Sequence, residues 1–238
     1  MGYTPDELPL SPPENAEEGS AWVVDEDMGG LHRVDDWEST VQRPWVVDAG
    51  SGGAPFPLAN ILVDKYPQQP TRHRNVPLRI RKGQILILGD VYDLPFGDRE
   101  VDFIWSSCVM EHLEDPQRAA AEMFRVSAMG TIMVPSVGLE AVIQIINQGE
   151  NSNGHEWLCR TNGSLELHFL RCRDRDKPVV RGMLERLGYF PTADRTLMNS
   201  ALIHCWGHSG WPKTLVVRTF EPTDEMLNDW AMQYEFGN

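Results

Sequence analysis

The chain has 238 residues, 41% of them hydrophobic, which is enough to bury the core of one main α/β domain with embellishments. Its 35 Asp and Glu against 21 Lys and Arg leave a formal charge of -14, and so acidic a surface repels phosphate backbones and anionic lipid headgroups. Nucleic acid is thereby disfavoured as a partner, small molecules or neutral glycans fit better, and no apolar run reaches the roughly 18 residues of a membrane span.

Residues 1–20 are acidic and proline-rich, with no basic start and no apolar core, so a flexible tail is expected and a signal peptide is not. Residues 21–41 mix Trp22 and Trp37 with many acids, as expected of an arm that packs on the main domain or lids its cleft. The main domain then spans 42–238. The four cysteines, Cys108, Cys159, Cys172 and Cys205, form no Cys-x-x-Cys pair and read as buried free thiols in a reducing, cytoplasmic setting.

From residue 43 onward apolar runs alternate with helical patterns, the signature of a parallel sheet with crossover helices. Strands are predicted over Trp45 to Ala49, Asn60 to Asp64, Gln84 to Asp90, Val101 to Ser107 and Gly130 to Pro135. Between the last two, Asp115 is suited to cap a helix and Pro116 to open its first turn, with Ala120, Met123, Phe124 and Val126 on the buried face. Residues 137–176 read as a variable insertion, and a helix is predicted over Val179 to Leu187, closed by Gly188. Two final apolar runs, Ala201 to Trp206 and Thr214 to Phe220, flank turn residues and predict an antiparallel hairpin.

In open parallel sheets a ligand lies across the carboxyl ends of the strands. Here the first strand runs into Asp48-Ala49-Gly50-Ser51-Gly52-Gly53, where glycine permits a sharp turn and a close backbone approach. The second strand ends in Asp64, whose carboxylate suits both hydroxyls of a ribose. The third ends in Asp90, which suits an exocyclic amine, with the Val91 N–H placed to donate to a ring nitrogen. The fourth ends near Ser106. A carboxylate at Asp48 would repel a pyrophosphate, so it is expected to order the glycine turn or to meet a cationic amine.

These segments, with Gly89 to Phe96, Val101 to Ile104, Met110 to Pro116 and Glu122 to Val126, resemble the class I S-adenosylmethionine-dependent methyltransferases, nearest the type 11 branch. The resemblance covers roughly residues 44–136. It implies a Rossmann-like fold with a seven-stranded, mostly parallel sheet finished by an antiparallel C-terminal hairpin. It also implies S-adenosylmethionine as cofactor, held at the methionine end by Asp48, Gly50, Ser51 and Gly52, at the ribose by Asp64, at the adenine by Asp90 and Val91, and near the methyl group by Ser106. The chain departs from the pattern where Ala54 replaces a third glycine and Pro55-Phe56-Pro57 stands where a first helix would begin. The Gly-Gly-x-Pro-Phe-Pro turn, with Arg72-His73-Arg74, resembles methyltransferase-like proteins encoded with bacterial surface-polysaccharide genes, which bears on substrate class.

No Asn/Asp-Pro-Pro-Tyr/Phe motif follows the fourth strand, which argues against methylation of DNA bases. A methyl transfer to a hydroxyl needs alignment and removal of a proton. His112 is the first candidate for that base and Glu111 the second, against the plainer reading of a helix-start histidine bonded to backbone. His155 belongs either to the acceptor side or to a surface turn. Cys108 reads as a small buried thiol before a nucleophile, and Trp206 and Trp211 as packing residues or as platforms for a sugar. No metal-ligand spacing is evident, although scattered His and Asp can assemble a site in space. The expectation is methyl transfer to a small-molecule or glycan-type acceptor at oxygen. The alternatives are a non-catalytic cofactor-binding or regulatory module, and a nicotinamide-dependent oxidoreductase, which suits the glycine turn but not the Asp90 region. Oligomeric state is not legible.

Overall fold

The computed structural model describes residues 12–13, 15–25, 30–66, 78–136, 154–162, 166–171, 201–207, 215–221, 223 and 225. The first strands are β1 (Ala21–Asp25) and β2 (Gly30–Val34), followed by the short helix α1 (Trp37–Thr40). Then come β3 (Val46–Ala49), β4 (Ile61–Asp64), β5 (Ile85–Leu88) and β6 (Phe103–Ser107). A 3-10 turn (Met110–His112), the helix α2 (Pro116–Val126) and β7 (Gly130–Pro135) follow. The described elements end with β8 (Trp157–Asn162), β9 (Glu166–Arg171), β10 (Ala201–Trp206) and β11 (Val216–Phe220).

An eight-stranded sheet has the order β10-β7-β6-β3-β4-β5-β1-β2. Its β6-β3-β4-β5 portion is parallel, with Val47 beside both Ile61 and Ile104, and Ile61 beside Ile85. β4 and β5 are buried at every position, as their unbroken Ile/Leu/Val runs require of strands covered on both faces. Asn60 fixes the entry to this pair. Its Oδ1 accepts from the Val46 N–H at 2.8 Å, and its Nδ2 donates to the carbonyls of Gln42 and Pro44.

The five strands predicted from residue 45 to 135 are present within a residue or two, and α2 begins at Pro116 as expected. Its buried positions are Pro116, Ala119, Ala120, Met123 and Val126, while Phe124 is half-buried and meets the Trp206 ring edge-on. Residues 21–34 are a hairpin that pairs antiparallel with β5, placing Ala21 opposite Ile87 and Trp22 opposite Leu86. Trp22 enters an apolar cluster with Ala59, Leu62, Leu78, Ile80, Leu86 and Leu88. The sheet therefore has eight strands, with antiparallel pairing within the N-terminal hairpin and between it and β5.

The predicted C-terminal hairpin does not form. β10 lies beside β7 at the edge of the large sheet, whereas β11 belongs to a separate three-stranded sheet, where it runs parallel to β9. Turn residues between two apolar runs show only that the chain reverses; the partner is decided by which sheet edges are open. β8 and β9, an antiparallel pair, lie in the stretch that reads as a loosely patterned insertion. The helix predicted over 179–187 lies outside the described residues.

The chain divides into two compact units. The first comprises Met1–Ser107, Arg118–Ile132 and Cys205–Thr214, the second Cys108–Gln117, Met133–His204 and Leu215–Asn238. Among the described residues no helix is long and apolar enough to cross a membrane.

Candidate functional site

In the first unit the carboxyl ends of β3 and β4 meet at the glycine turn. Gly50 and Gly52 adopt φ of +79° and +53°, in the region where a Cβ is strained, which is why glycine stands at both. The Gly50 and Ser51 N–H groups donate to the Val63 carbonyl at 2.7 and 3.3 Å, so the turn folds back on the end of β4. Gly52 N–H donates to Asp64 Oδ2 at 2.9 Å, and Tyr66 N–H to Asp64 Oδ1 at 2.8 Å. The Ser51 hydroxyl is buried and meets no hydrogen-bond partner among the described residues. A buried polar atom left without a partner is uncommon and fits a polar ligand arriving at this turn.

Asp48 explains the unusual exit from the turn. Its Oδ2 accepts from the Phe56 N–H at 2.7 Å, tying Ala54-Pro55-Phe56 back to β3. The Phe56 ring stacks on Trp105 of β6 at 4.5 Å and 10°. These bonds replace what a regular first helix would provide. Burial pushes the Asp48 carboxyl up to about 7; the Phe56 hydrogen bond opposes this and the nearby Asp64 adds to it.

Asp90 caps a turn, accepting from the Tyr92 N–H through Oδ1 while its carbonyl takes the Asp93 N–H. Its Oδ2 pairs with Lys65 Nζ at 2.6 Å, and that bond raises the Lys65 pKa. Lys65 carries no motif of its own in the sequence; its place directly after Asp64 is the signal that marks it. Val91, the next residue along from Asp90, is buried. Ser106 is buried and donates to the Ala49 carbonyl at 3.1 Å, so its hydroxyl braces β6 against the end of β3.

Two of the sequence motifs have mechanical explanations. Glu122 Oε1 accepts from the Leu94 N–H at 2.9 Å, and Arg125 bonds Glu122, Asp98 and the Leu94 carbonyl, so α2 clamps the loop after β5. These bonds hold the Glu122 carboxyl below its usual range. Asp102 accepts from the Trp45 N–H and from Arg43 Nη1, pinning β3 to the start of β6.

In the second unit the 3-10 turn brings Glu111 and His112 beside His155, the His112 and His155 rings meeting edge to face at 4.5 Å. Glu111 and His155 are buried. His112 Nδ1 lies 3.4 Å from the Gly154 carbonyl, which is the backbone contact of its plainer reading. The segments are clasped by Glu156 N–H to the Glu111 carbonyl at 2.8 Å and Trp157 Nε1 to the Leu113 carbonyl at 2.6 Å. His155 is thus not a surface turn residue. Cys108 is exposed, not buried, at φ +55°, and Cys159 is buried. Trp206 is a core residue that donates to the Ser127 carbonyl, with no face open to a sugar. Trp211, Cys172 and Arg72-His73-Arg74 lie outside the described residues.

The sequence pattern of the methyltransferase domain family matches residues 63–134, from within β4 to within β7. No curated protein matches the chain. Solved structures similar to part of the chain include an S-adenosylmethionine-dependent methyltransferase of Thermotoga maritima, described as a possible histamine N-methyltransferase. It is 17% identical, with a TM-score of 0.35 over 49% of this chain and 58% of that one. The YcgJ protein of Bacillus subtilis is 20% identical, with a TM-score of 0.32 over 50% and 58%. An S-adenosylmethionine-dependent methyltransferase of Aquifex aeolicus is 13% identical, with a TM-score of 0.28 over 56% and 84%. The chain spans a little over half the length of the first two of these. The family match thus runs through β4 to β7, and the parallel β6-β3-β4-β5 strands with the glycine turn at the end of β3 form a Rossmann-like arrangement.

Proposed function

We propose that the protein is a methyltransferase that binds S-adenosylmethionine at the β3 and β4 ends and methylates a small-molecule or glycan-type acceptor at oxygen. The observation that carries the reading is the glycine turn itself: two left-handed glycines, a buried Ser51 hydroxyl with no partner among the described residues, and the Asp64 carboxylate holding the turn at the end of β4. When bound, S-adenosylmethionine supplies a methyl group on a cationic sulfur for in-line displacement.

The chain's own residues have separate tasks in this reading. Gly50, Ser51 and Gly52 admit the methionine end closely, with the Ser51 hydroxyl as donor or acceptor. Asp64 accepts from the ribose hydroxyls. The Val91 N–H donates to an adenine ring nitrogen, and Asp90 accepts from the exocyclic amine once Lys65 yields; that exposed pair costs at most about 1 kcal/mol to open. Asp48 and Ser106 are positioning residues, because their hydrogen bonds go to Phe56 and to Ala49. His112, and after it Glu111, takes the acceptor's proton. A cytoplasmic setting suits this donor.

Transfer of a labelled methyl group to a panel of hydroxylated small molecules and oligosaccharides tests the reading. Transfer to at least one of them, lost in His112→Ala, supports it. Donor binding without transfer to any acceptor would instead support the non-catalytic module that the irregular turn exit also allows.

A further inference from the structure

We propose that Glu111, His112 and His155 form a binding site for a divalent transition metal. One carboxylate and two imidazoles place their ligand atoms within 4.8 Å of one another, in a unit whose segments are tied together by backbone and indole hydrogen bonds. Metal bonds of about 2.1 Å set ligand atoms about 3.4 Å apart, so side-chain rotation of an ångström or so closes the set without moving the backbone.

Three further features agree. A carbonyl only accepts, so the contact of His112 Nδ1 with Gly154 makes Nδ1 the protonated nitrogen, and Nε2 is then the atom that would meet a metal. A ligating histidine characteristically has its other N–H engaged by a carbonyl or carboxylate in this way. Glu111 is completely shielded from solvent, a setting in which a carboxylate gains strongly from a facing divalent ion. The local backbone also holds the ligands firmly, since Glu111 offers its own carbonyl to the segment that carries His155. Two imidazoles with one carboxylate favour zinc, cobalt or iron(II) over magnesium or calcium, and three protein ligands leave room for water or an oxygen ligand.

The site lies within the second unit, and the inference stands whether or not the methyl donor binds the first. A bound metal would occupy His112 and Glu111 and would supply Lewis acidity there, so the base role given to them above applies to the metal-free chain.

The test is titration of the chelator-treated full chain with Co2+, followed by visible d–d absorption, with Zn2+ and Mg2+ as competitors and no methyl donor present. The expected result is one Co2+ per chain, displaced by Zn2+ and not by Mg2+, with affinity lowered at least tenfold in Glu111→Gln and in His155→Ala. If circular dichroism shows either buried substitution unfolded, His112→Gln at the less buried position decides, with the same tenfold loss expected. No Co2+ binding at millimolar concentration, or equal affinity in the folded variants, overturns the proposal. Asp64→Ala, in the other unit, is expected to keep Co2+ affinity.

Discussion

Asp48 is held by one hydrogen bond to Phe56 and pushed up by burial to about 7, against 3.8 for the free side chain. Between those values the folded chain keeps a proton that the unfolded chain releases, so stability is full below pH 3.8 and falls as pH rises through 7. The loss is at most about 4 kcal/mol, since each tenfold difference in proton affinity between the two states is worth about 1.4 kcal/mol. Asp48→Asn retains an oxygen for the Phe56 N–H and cannot ionise. Its stability relative to the parent should therefore rise from pH 5 to pH 8 in urea unfolding, and parallel profiles would show that the carboxyl is not held protonated. The sequence made Asp48, Asp64 and Asp90 visible as strand-end acids, because an apolar run ending in Asp is a local pattern. It did not reveal what they touch. Phe56, Tyr66 and Lys65 lie in loops whose course no periodicity dictates, so the turn-ordering part of Asp48 and the ion pair on Asp90 needed coordinates.

At the scale of elements, the same contrast separates β3 to β7 from the end of the chain. Unbroken Ile/Leu/Val runs with Asp or Gly at their ends can only be buried parallel strands, and α2 follows from its proline start and apolar spacing. The hairpin prediction for β10 and β11 failed because their apolar runs are equally suited to either of two sheets. β8 and β9 went unread although Leu167, Phe169 and Leu170 are fully buried, since a six-residue run beside polar turns has too little pattern. Gly130, the first residue of β7, is a case where packing explains a glycine: a Cβ there would collide with the Trp206 ring and with Ile104, both fully buried. Gly130→Ala should cost about 1–3 kcal/mol by overpacking, several degrees of melting temperature. An unchanged melting temperature would mean that Trp206 is not seated against β7.

Across the whole molecule, the acidic arm of the sequence is structural as far as it is described. The β1–β2 hairpin covers the β5 edge, and Trp22 seals an apolar cluster while its indole N–H donates to Ser20. The sequence reads this stretch as an arm that packs on the domain or lids its cleft, and its many acids conceal the two strands. Removing residues 1–35 should leave the outer edge of β5 unpaired and promote self-association in light scattering, and Trp22→Ala alone should cost about 3–5 kcal/mol. A monodisperse truncated chain with an unaltered melting temperature would reduce the hairpin to a surface appendage.

What binds at the glycine turn decides the function. Calorimetric titration of the full chain with S-adenosylhomocysteine tests this most directly, alongside Asp64→Ala and with NAD as a control. The prediction is saturable one-to-one binding, no comparable binding of NAD, and at least tenfold weaker affinity in the variant. No heat of binding at millimolar S-adenosylhomocysteine, or preferential binding of NAD, would contradict it.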